Sequence, residues 1–151
     1  MSDLRAMRIA AGLTQSELAD RAGTARPNIA AYESGAKSPS PALRERLVVA
    51  MQPRPSQALA GNESEVARIV AAYGGSRVRV FGSTAKGRDR AGSDLDLMVD
   101  LAPRTPLSTL VAMEDELAAL LGVDVEVVSA RTAAPEMIRT AFDLPMPTRA
   151  A

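Results

Sequence analysis

The first fifty residues carry apolar side chains at helical spacing, and glycines break them into short segments. Leu4, Met7 and Ala11 fall on one helical stripe, and Gly12 stands where a left-handed cap would end the helix. The pattern therefore predicts a short first helix that buries this stripe.

A second helix is predicted directly after the first. Thr14 is a good N-cap residue and Glu17 follows three positions later, which is the capping-box pattern. Leu18 and Ala22 then share one face, and Gly23 ends the segment.

Two further helices complete the first fifty residues. Thr24 marks the start of the third helix. Pro27 lies in the first turn of that helix, where a missing N–H does no harm. Ile29 and Tyr32 form its buried face, and Gly35 ends it. The fourth helix has three apolar residues along one face: Leu43, Leu47 and Met51.

Proline and glycine interrupt the helical pattern in the stretch QPRPSQALAGN. This composition predicts a linker over residues 53–62, with one helical turn at residues 56–59. The chain is thus expected to be multidomain, with domains at 1–52 and 63–145. The residues after Leu144 are predicted to fray.

The pattern changes from helical to strand-like in the second half. Val78 and Val80 alternate with Arg77 and Arg79, which predicts a strand, and a Gly-Ser turn follows it. The segment STAKG is expected to begin a short helix whose free N–H groups attract phosphate. An earlier helix has four apolar residues on one face: Val66, Ile69, Val70 and Tyr73.

The segment SDLDLMVD predicts a second strand with two unlike faces. Its leucines and Val99 point to one face, while Asp94 and Asp96 point to the other. One interpretation is a solvated strand face. The other is a divalent-cation site, because a bridging cation reduces the repulsion between carboxylates at positions i and i+2. Two magnesium ions held in this way could organise the phosphates of a nucleotide and activate an attacking hydroxyl.

A third carboxylate could complete such a site. After a helix marked by leucines between residues 107 and 121, GVDVEVVS predicts a strand with Val123, Val125 and Val127 inward and with Asp124 and Glu126 outward. The polar faces of the two strands can meet. Either Asp124 or Glu126 is therefore available as the third ligand.

Composition narrows the chemistry to carboxylates. The 151 residues are 46% hydrophobic, which suffices for compact cores, and they include no Cys and no His. Disulfides and thiolate metal sites are thereby excluded, and the usual imidazole base is missing. No apolar run approaches the roughly eighteen residues of a membrane span, so a cytoplasmic location is expected.

Charge is uneven although the net charge is zero. Residues 1–50 carry seven basic and five acidic groups, residues 51–92 carry seven and three, and residues 93–151 carry four and ten. The resulting charges of +2, +4 and −6 permit an anion-binding front half. A solvated surface would show the same asymmetry.

The second and third helices have the small-residue turn of a helix-turn-helix, although an ordinary helical bundle would show the same apolar spacing. The stretch GLTQSELADRAGTARPNIAAYESGAKSPS resembles the Cro/C1-type (XRE) helix-turn-helix family. The likeness lies in LTQxELA, the glycine turn, the Ile of the third helix and YExG…P, and it spans residues 3–60. It implies an all-α bundle that binds operator double-stranded DNA, as a dimer on two half-sites.

The same resemblance assigns the DNA contacts. It implies that Gln15 contacts a phosphate and that Arg26, Pro27, Asn28 and Ala31 meet the DNA from the third helix. Arg26 is the candidate for a base contact, because a guanidinium can pair in a bidentate way with guanine.

Residues 63–145 resemble the DNA polymerase β-like nucleotidyltransferases, specifically the minimal nucleotidyltransferase (MNT) antitoxins. The shared pattern is Gly82-Ser83, then Asp94-x-Asp96-Leu, then an acidic residue on a later strand, and the ending MIRTAFDLP also agrees. Glu126 stands at the usual aspartate position. The resemblance implies a small α/β domain with a short mixed sheet.

The nucleotidyltransferase resemblance also implies roles for the motif residues. Gly82 and Ser83 would hold the triphosphate of ATP, and Lys86 is a second phosphate candidate, with a solvated helix lysine as the alternative. Asp94 and Asp96 would ligate Mg²⁺ in a two-metal site. Glu126 would complete that site or accept the proton of the attacking hydroxyl.

Three functions follow as hypotheses. The first is an antitoxin that represses its own operon and transfers AMP from ATP to a cognate toxin, HEPN-like or other, within a homodimer or a toxin–antitoxin hetero-oligomer. The second is a transcriptional regulator whose nucleotidyltransferase half is inactive and only binds a nucleotide or partner. The third, an antibiotic nucleotidyltransferase, is opposed by the short chain and the DNA-binding front half.

Overall fold

The computed structural model describes residues 2–144, in two compact units that meet in sequence between Pro53 and Arg54. The predicted fraying after Leu144 and the last residue of the predicted domain 63–145 lie outside the described residues. The first unit is all-helical, as predicted. Its helices are α1 (Ser2–Ala10), α2 (Gln15–Ala22), α3 (Arg26–Ser34) and α4 (Pro41–Met51).

The capping box predicted at the start of α2 is confirmed. The Thr14 hydroxyl accepts a hydrogen bond from the Glu17 amide at 3.1 Å, and the Glu17 carboxylate accepts one from the Thr14 amide at 2.7 Å. The third helix begins one residue later than Thr24 indicated. Its N-cap is Ala25, whose side chain cannot cap, and the Thr24 hydroxyl instead accepts a hydrogen bond from Asn28.

The core of the first unit lies where α2, α3 and α4 meet. Leu18 and Ile29 are fully buried there, and Leu4 joins them from α1. The prediction that Met7 and Ala11 are buried with Leu4 was wrong, because both are exposed. Met7 lies on a shallow groove between α1 and α4, and no other element of the described chain fills that groove.

The second unit is a four-stranded mixed sheet with helices. The strands lie in the order β3-β2-β1-β4, where β1 pairs antiparallel with both β2 and β4, and β2 pairs parallel with β3. This confirms the predicted α/β domain with a mixed sheet. Its elements are α5 (Pro55–Leu59), α6 (Glu63–Ala72), β1 (Ser76–Phe81), α7 (Gly82–Ala85), β2 (Leu95–Asp100), α8 (Leu107–Leu121), β3 (Val125–Ser129), α9 (Pro135–Thr140) and β4 (Phe142–Asp143).

The apolar face of the sheet packs against α6 and α8. Leu95 and Leu97 of β2 are fully buried there with Met113 and Leu117 of α8. Because side chains alternate along a strand, the same packing turns Asp96 to the opposite face. Burial of the leucines thus determines which way this carboxylate points.

The residues of the predicted linker are partly helical. Residues 55–59 form α5, and Leu59 is buried in the core of the second unit. Among the described residues, no helix is both long enough and apolar enough to cross a bilayer.

Candidate active site

The Gly82-Ser83 turn follows β1 directly and packs against Asp96. Phe81, the last residue of β1, is in register with Asp96 on β2. Gly82 has φ of 72°, in the left-handed region that favours glycine. A Cβ atom at this position would overlap the Asp96 carboxylate. Glycine is therefore required here both by backbone conformation and by the close approach of a carboxylate.

Asp96 faces Glu126 across the parallel strand pair. The register of β2 and β3 places the two residues side by side. Burial raises the pKa of Asp96 to about 6, and the charge of Glu126, a hydrogen bond with it and the charge of Asp94 act in the same direction. The two carboxylates are thus close enough to share a proton, and a positive charge bound between them would displace it.

Asp94 is exposed just before β2, and it is near enough to influence the pKa of Asp96. Within residues 2–144, no three acidic side chains are close enough together to hold a metal ion as they stand. The structure thus brings Asp96 and Glu126 together and leaves Asp94 beside the pair. Carboxylate oxygens are the ligands that Mg²⁺ prefers, so the donor set fits this ion.

Asp124, the alternative to Glu126, lies just before β3 and is exposed. Its backbone carbonyl accepts a hydrogen bond from the Leu95 amide at 2.8 Å, which aligns the two strands. The register places Glu126, and not Asp124, opposite Asp96.

A cleft of about 410 Å³ opens beside Gly82. It is lined by Phe81, Gly82 and Lys86 on one side and by α9 on the other. Its volume lies in the range of small-molecule sites. The α9 residues were not predicted to take part, although the segment MIRT was noted in the sequence. They are Glu136, Met137, Arg139 and Thr140.

The residues around the turn are held by backbone hydrogen bonds. Ser83 is half-buried, and its carbonyl accepts a hydrogen bond from the Arg88 amide at 2.8 Å. The Thr84 hydroxyl is buried and has no hydrogen-bond partner within the described chain. A buried hydroxyl without a partner is unfavourable, so this turn retains an unused polar group.

Asp89 is a buried carboxylate that sequence analysis did not single out, because it lies in a charged run. It is 2% exposed. It accepts a hydrogen bond from the Ser56 amide at 2.7 Å, and Arg54 donates to its carbonyl oxygen at 2.9 and 3.1 Å. Burial raises the pKa of Asp89, but the hydrogen bonds from Ser56 and the charge of Arg54 outweigh it, so the pKa is lowered overall.

The candidate DNA-contacting residues lie at the start of α2 and in the first two turns of α3. Arg26 and Pro27 are exposed in the first turn of α3, and Asn28 and Ala31 are half-buried. Gln15 is half-buried at the start of α2, where its amide nitrogen donates to Glu33 at 3.0 Å. This hydrogen bond holds the Gln15 side chain against Glu33 of α3.

Comparison with protein-family models gives two matches along the chain. Residues 4–51 match a helix-turn-helix family, and residues 63–147 match the nucleotidyltransferase domain family. The second match covers more than half of the 151 residues. No curated protein matches the chain.

Solved structures share the fold of the second unit. One, described as a minimal nucleotidyltransferase, is 37% identical, covers 58% of this chain and 93% of its own, and has a TM-score of 0.51. Another, a toxin–antitoxin crystallised with AMP-PNP, is 22% identical, covers 58% of this chain and 75% of its own, and has a TM-score of 0.51. At that identity the second likeness shows the fold alone.

Proposed function

We propose that this protein is an antitoxin. The premise is that the chain belongs to the nucleotidyltransferase domain family and carries a helix-turn-helix domain before that domain. Its N-terminal unit binds operator DNA and represses its own operon. Its second unit neutralises a cognate toxin by Mg²⁺-dependent transfer of AMP from ATP to a hydroxyl group. The protein acts as a homodimer or within a toxin–antitoxin complex.

The observation that carries the catalytic part is the placement of the Asp96–Glu126 pair against the Gly82 turn, beside an open cleft. Members of this family typically use magnesium and a nucleoside triphosphate. Burial and neighbouring carboxylates raise the pKa of Asp96 to about 6, and a divalent cation bound between the carboxylates would relieve that unfavourable charge. The likeness to a minimal nucleotidyltransferase supports the same activity.

We assign each motif residue a role in this reaction. The Gly82-Ser83 turn and Lys86 hold the triphosphate in the cleft, and Asp94, Asp96 and Glu126 hold magnesium. Bound magnesium supplies charge neutralisation on the phosphates. Glu126 accepts the proton of the acceptor hydroxyl, whose oxygen forms a bond to the α-phosphorus. The bond from that phosphorus to the bridging oxygen breaks, and pyrophosphate leaves with its electrons.

The proposed DNA-binding part depends on the exposed first turn of α3. Arg26 is exposed there, within a segment that matches a helix-turn-helix family. A single small module gives limited affinity, so binding to two half-sites as a dimer is expected.

Transfer is tested by incubating the protein with ATP, magnesium and the product of the adjoining gene. We expect the mass of that product to increase by one or more AMP groups. Asp96→Asn should abolish the increase, whereas Asp124→Asn, a neighbouring carboxylate that does not face Glu126, should retain it. If wild type and Asp96→Asn give the same masses, the proposal is refuted.

A second candidate is a regulator whose nucleotidyltransferase unit binds a nucleotide or partner without catalysis. The lack of a three-ligand cluster within the described residues favours it, as does glutamate at the position where the family has aspartate. It predicts that ATP changes operator affinity while no covalent product forms.

A further inference from the structure

A short basic loop separates the two parts of the candidate active site. Residues 86–92 run from the end of α7 towards Asp94, and Lys86, Arg88 and Arg90 are exposed in it. The intervening Asp89 is buried. The loop therefore presents its positive groups to solvent and its one carboxylate to the interior.

Asp89 fixes the middle of this basic loop. Its carboxylate is satisfied by the Ser56 amide at the start of α5 and lies 3.9 Å from Arg54. Arg54 also donates two hydrogen bonds to its carbonyl oxygen. A buried charge is tolerated only when it has such partners. The Asp89 carboxylate therefore fixes the loop to α5, and it does not neutralise the exposed arginines on either side of it.

Both sides of the basic loop are tied to the candidate active site. The Arg88 amide donates to the Ser83 carbonyl at 2.8 Å. The Arg90 amide donates to the Ser93 hydroxyl at 2.9 Å, and the Ser93 amide donates back to the Arg90 carbonyl, also at 2.9 Å. Ser93 directly precedes Asp94. The backbone of Arg88 is thus held against the Gly82-Ser83 turn, and that of Arg90 is held against Ser93, the residue before Asp94.

Neither guanidinium is used within the described part of the chain. Arg88 and Arg90 have no hydrogen bond or ion pair from their side chains there. Neither lines the cleft beside Gly82, although Lys86 does. Lys86 is therefore placed for the nucleotide, and the two arginines are placed to meet a molecule that approaches the site from outside.

We propose that Arg88 and Arg90 bind an acidic segment of the protein acceptor, next to the hydroxyl that receives AMP. This assignment rests on the proposed function. Nucleic acid is the less suitable partner, because the loop has no aromatic residue on which bases could stack, and acidic residues from Asp94 onward end the positive surface. An acidic protein segment needs only a small positive surface of this kind.

Peptide binding tests this proposal without requiring turnover. The probe is a fluorescein-labelled peptide in which glutamates flank one tyrosine, and its control has glutamines instead. Anisotropy is measured with the full chain, magnesium and α,β-methylene-ATP. We expect the glutamate peptide to bind more tightly, and salt to weaken its binding. Arg88→Gln with Arg90→Gln should lower its affinity about fivefold, as loss of two exposed ion pairs implies.

The matched control is Arg104→Gln with Arg131→Gln, two exposed arginines that follow the other ends of β2 and β3. It should leave peptide affinity unchanged. Equal binding of both peptides, equal losses in the two double variants, or an equal loss of ATP affinity in the first would overturn the proposal. So would tighter binding of a single-stranded oligonucleotide by the same arginines.

The outcome separates this proposal from the proposed function. A preference for the glutamate peptide that depends on Arg88 and Arg90 supports the acidic-segment assignment even if no AMP is transferred to the neighbouring gene product. If the first double variant transfers AMP to that product with an unchanged KM for the product, the assignment is overturned and the proposed function stands.

Discussion

Replacing Gly82 with alanine should slow transfer strongly while costing little more stability than alanine at another left-handed glycine. Gly82 and Gly87 have φ of 72° and 69°, so alanine at either position pays about 1–2 kcal/mol of backbone strain. A Cβ at Gly87 meets nothing within 4 Å, whereas one at Gly82 overlaps the Asp96 carboxylate. Gly87→Ala is therefore a control with equal strain and open space.

The difference between these variants isolates the close approach to Asp96. The carboxylate lies at the end of a side chain and can rotate away, so we expect similar unfolding free energies by chemical denaturation. Rotation separates Asp96 from Glu126, and such misplacement of a catalytic group lowers rates on the order of 100-fold. Gly82→Ala should show that loss of transfer and a lower pKa of Asp96 by carboxyl NMR titration. Equal transfer rates in the two variants would refute the reasoning.

Three further predictions concern pH, the first core and DNA. The pKa of Asp96 is raised from 3.8 to about 6. Without magnesium, ionisation of Asp96 should therefore lower the stability of the second unit as pH rises through that range. Asp96→Asn should remove this pH dependence, as measured by denaturation at a series of pH values. Hydrogen bonds from Arg8, and to a lesser extent from Gln15, lower the pKa of Glu33 from 4.5, so this contribution is present above pH 4.5 and is lost as pH falls below it. Glu33→Gln leaves Arg8, whose side chain is only 12% exposed, without its ion pair, and should cost about 3 kcal/mol in unfolding of the first unit. Arg26→Ala should weaken operator binding by about 1–3 kcal/mol in gel-shift assays; unchanged affinity would contradict a base contact.

The substitution of glutamate for aspartate at position 126 has a structural context. The register places Glu126 beside Asp96, and the side chains reach each other by a hydrogen bond. The longer side chain therefore reaches the neighbouring carboxylate. Glu126→Asp, compared with wild type in the transfer assay, measures what the additional methylene changes.

Much of the local structure could be predicted from the sequence, because its causes are local. The capping box of Thr14 and Glu17 and the left-handed Gly23 depend on residues within one or two turns. Alternation along residues 94–100 likewise predicted that Leu95, Leu97 and Val99 are buried on one face, although Met98, on the face of Asp96, is fully buried as well. The local rule for N-caps was wrong by one residue at α3. The helix begins after Ala25, because the Thr24 hydroxyl accepts a hydrogen bond from the Asn28 side chain and does not cap the helix.

The tertiary structure decided what depends on residues far apart in the chain. The parallel register that sets Asp96 beside Glu126 is aligned by a hydrogen bond between Leu95 and Asp124. The burial of Asp89 depends on Arg54 and Ser56, more than thirty residues earlier in the chain. In the sequence Asp89 stands among charged residues, so nothing nearby indicated that it is buried. The sequence by itself determined most of the helices, three of the four strands and the motif residues, through capping and periodicity, whereas α9 and β4 were not predicted. Only the tertiary structure decided which of those residues meet. Such contacts depend on how distant segments pack together, and the spacing of residues along the sequence does not determine that packing.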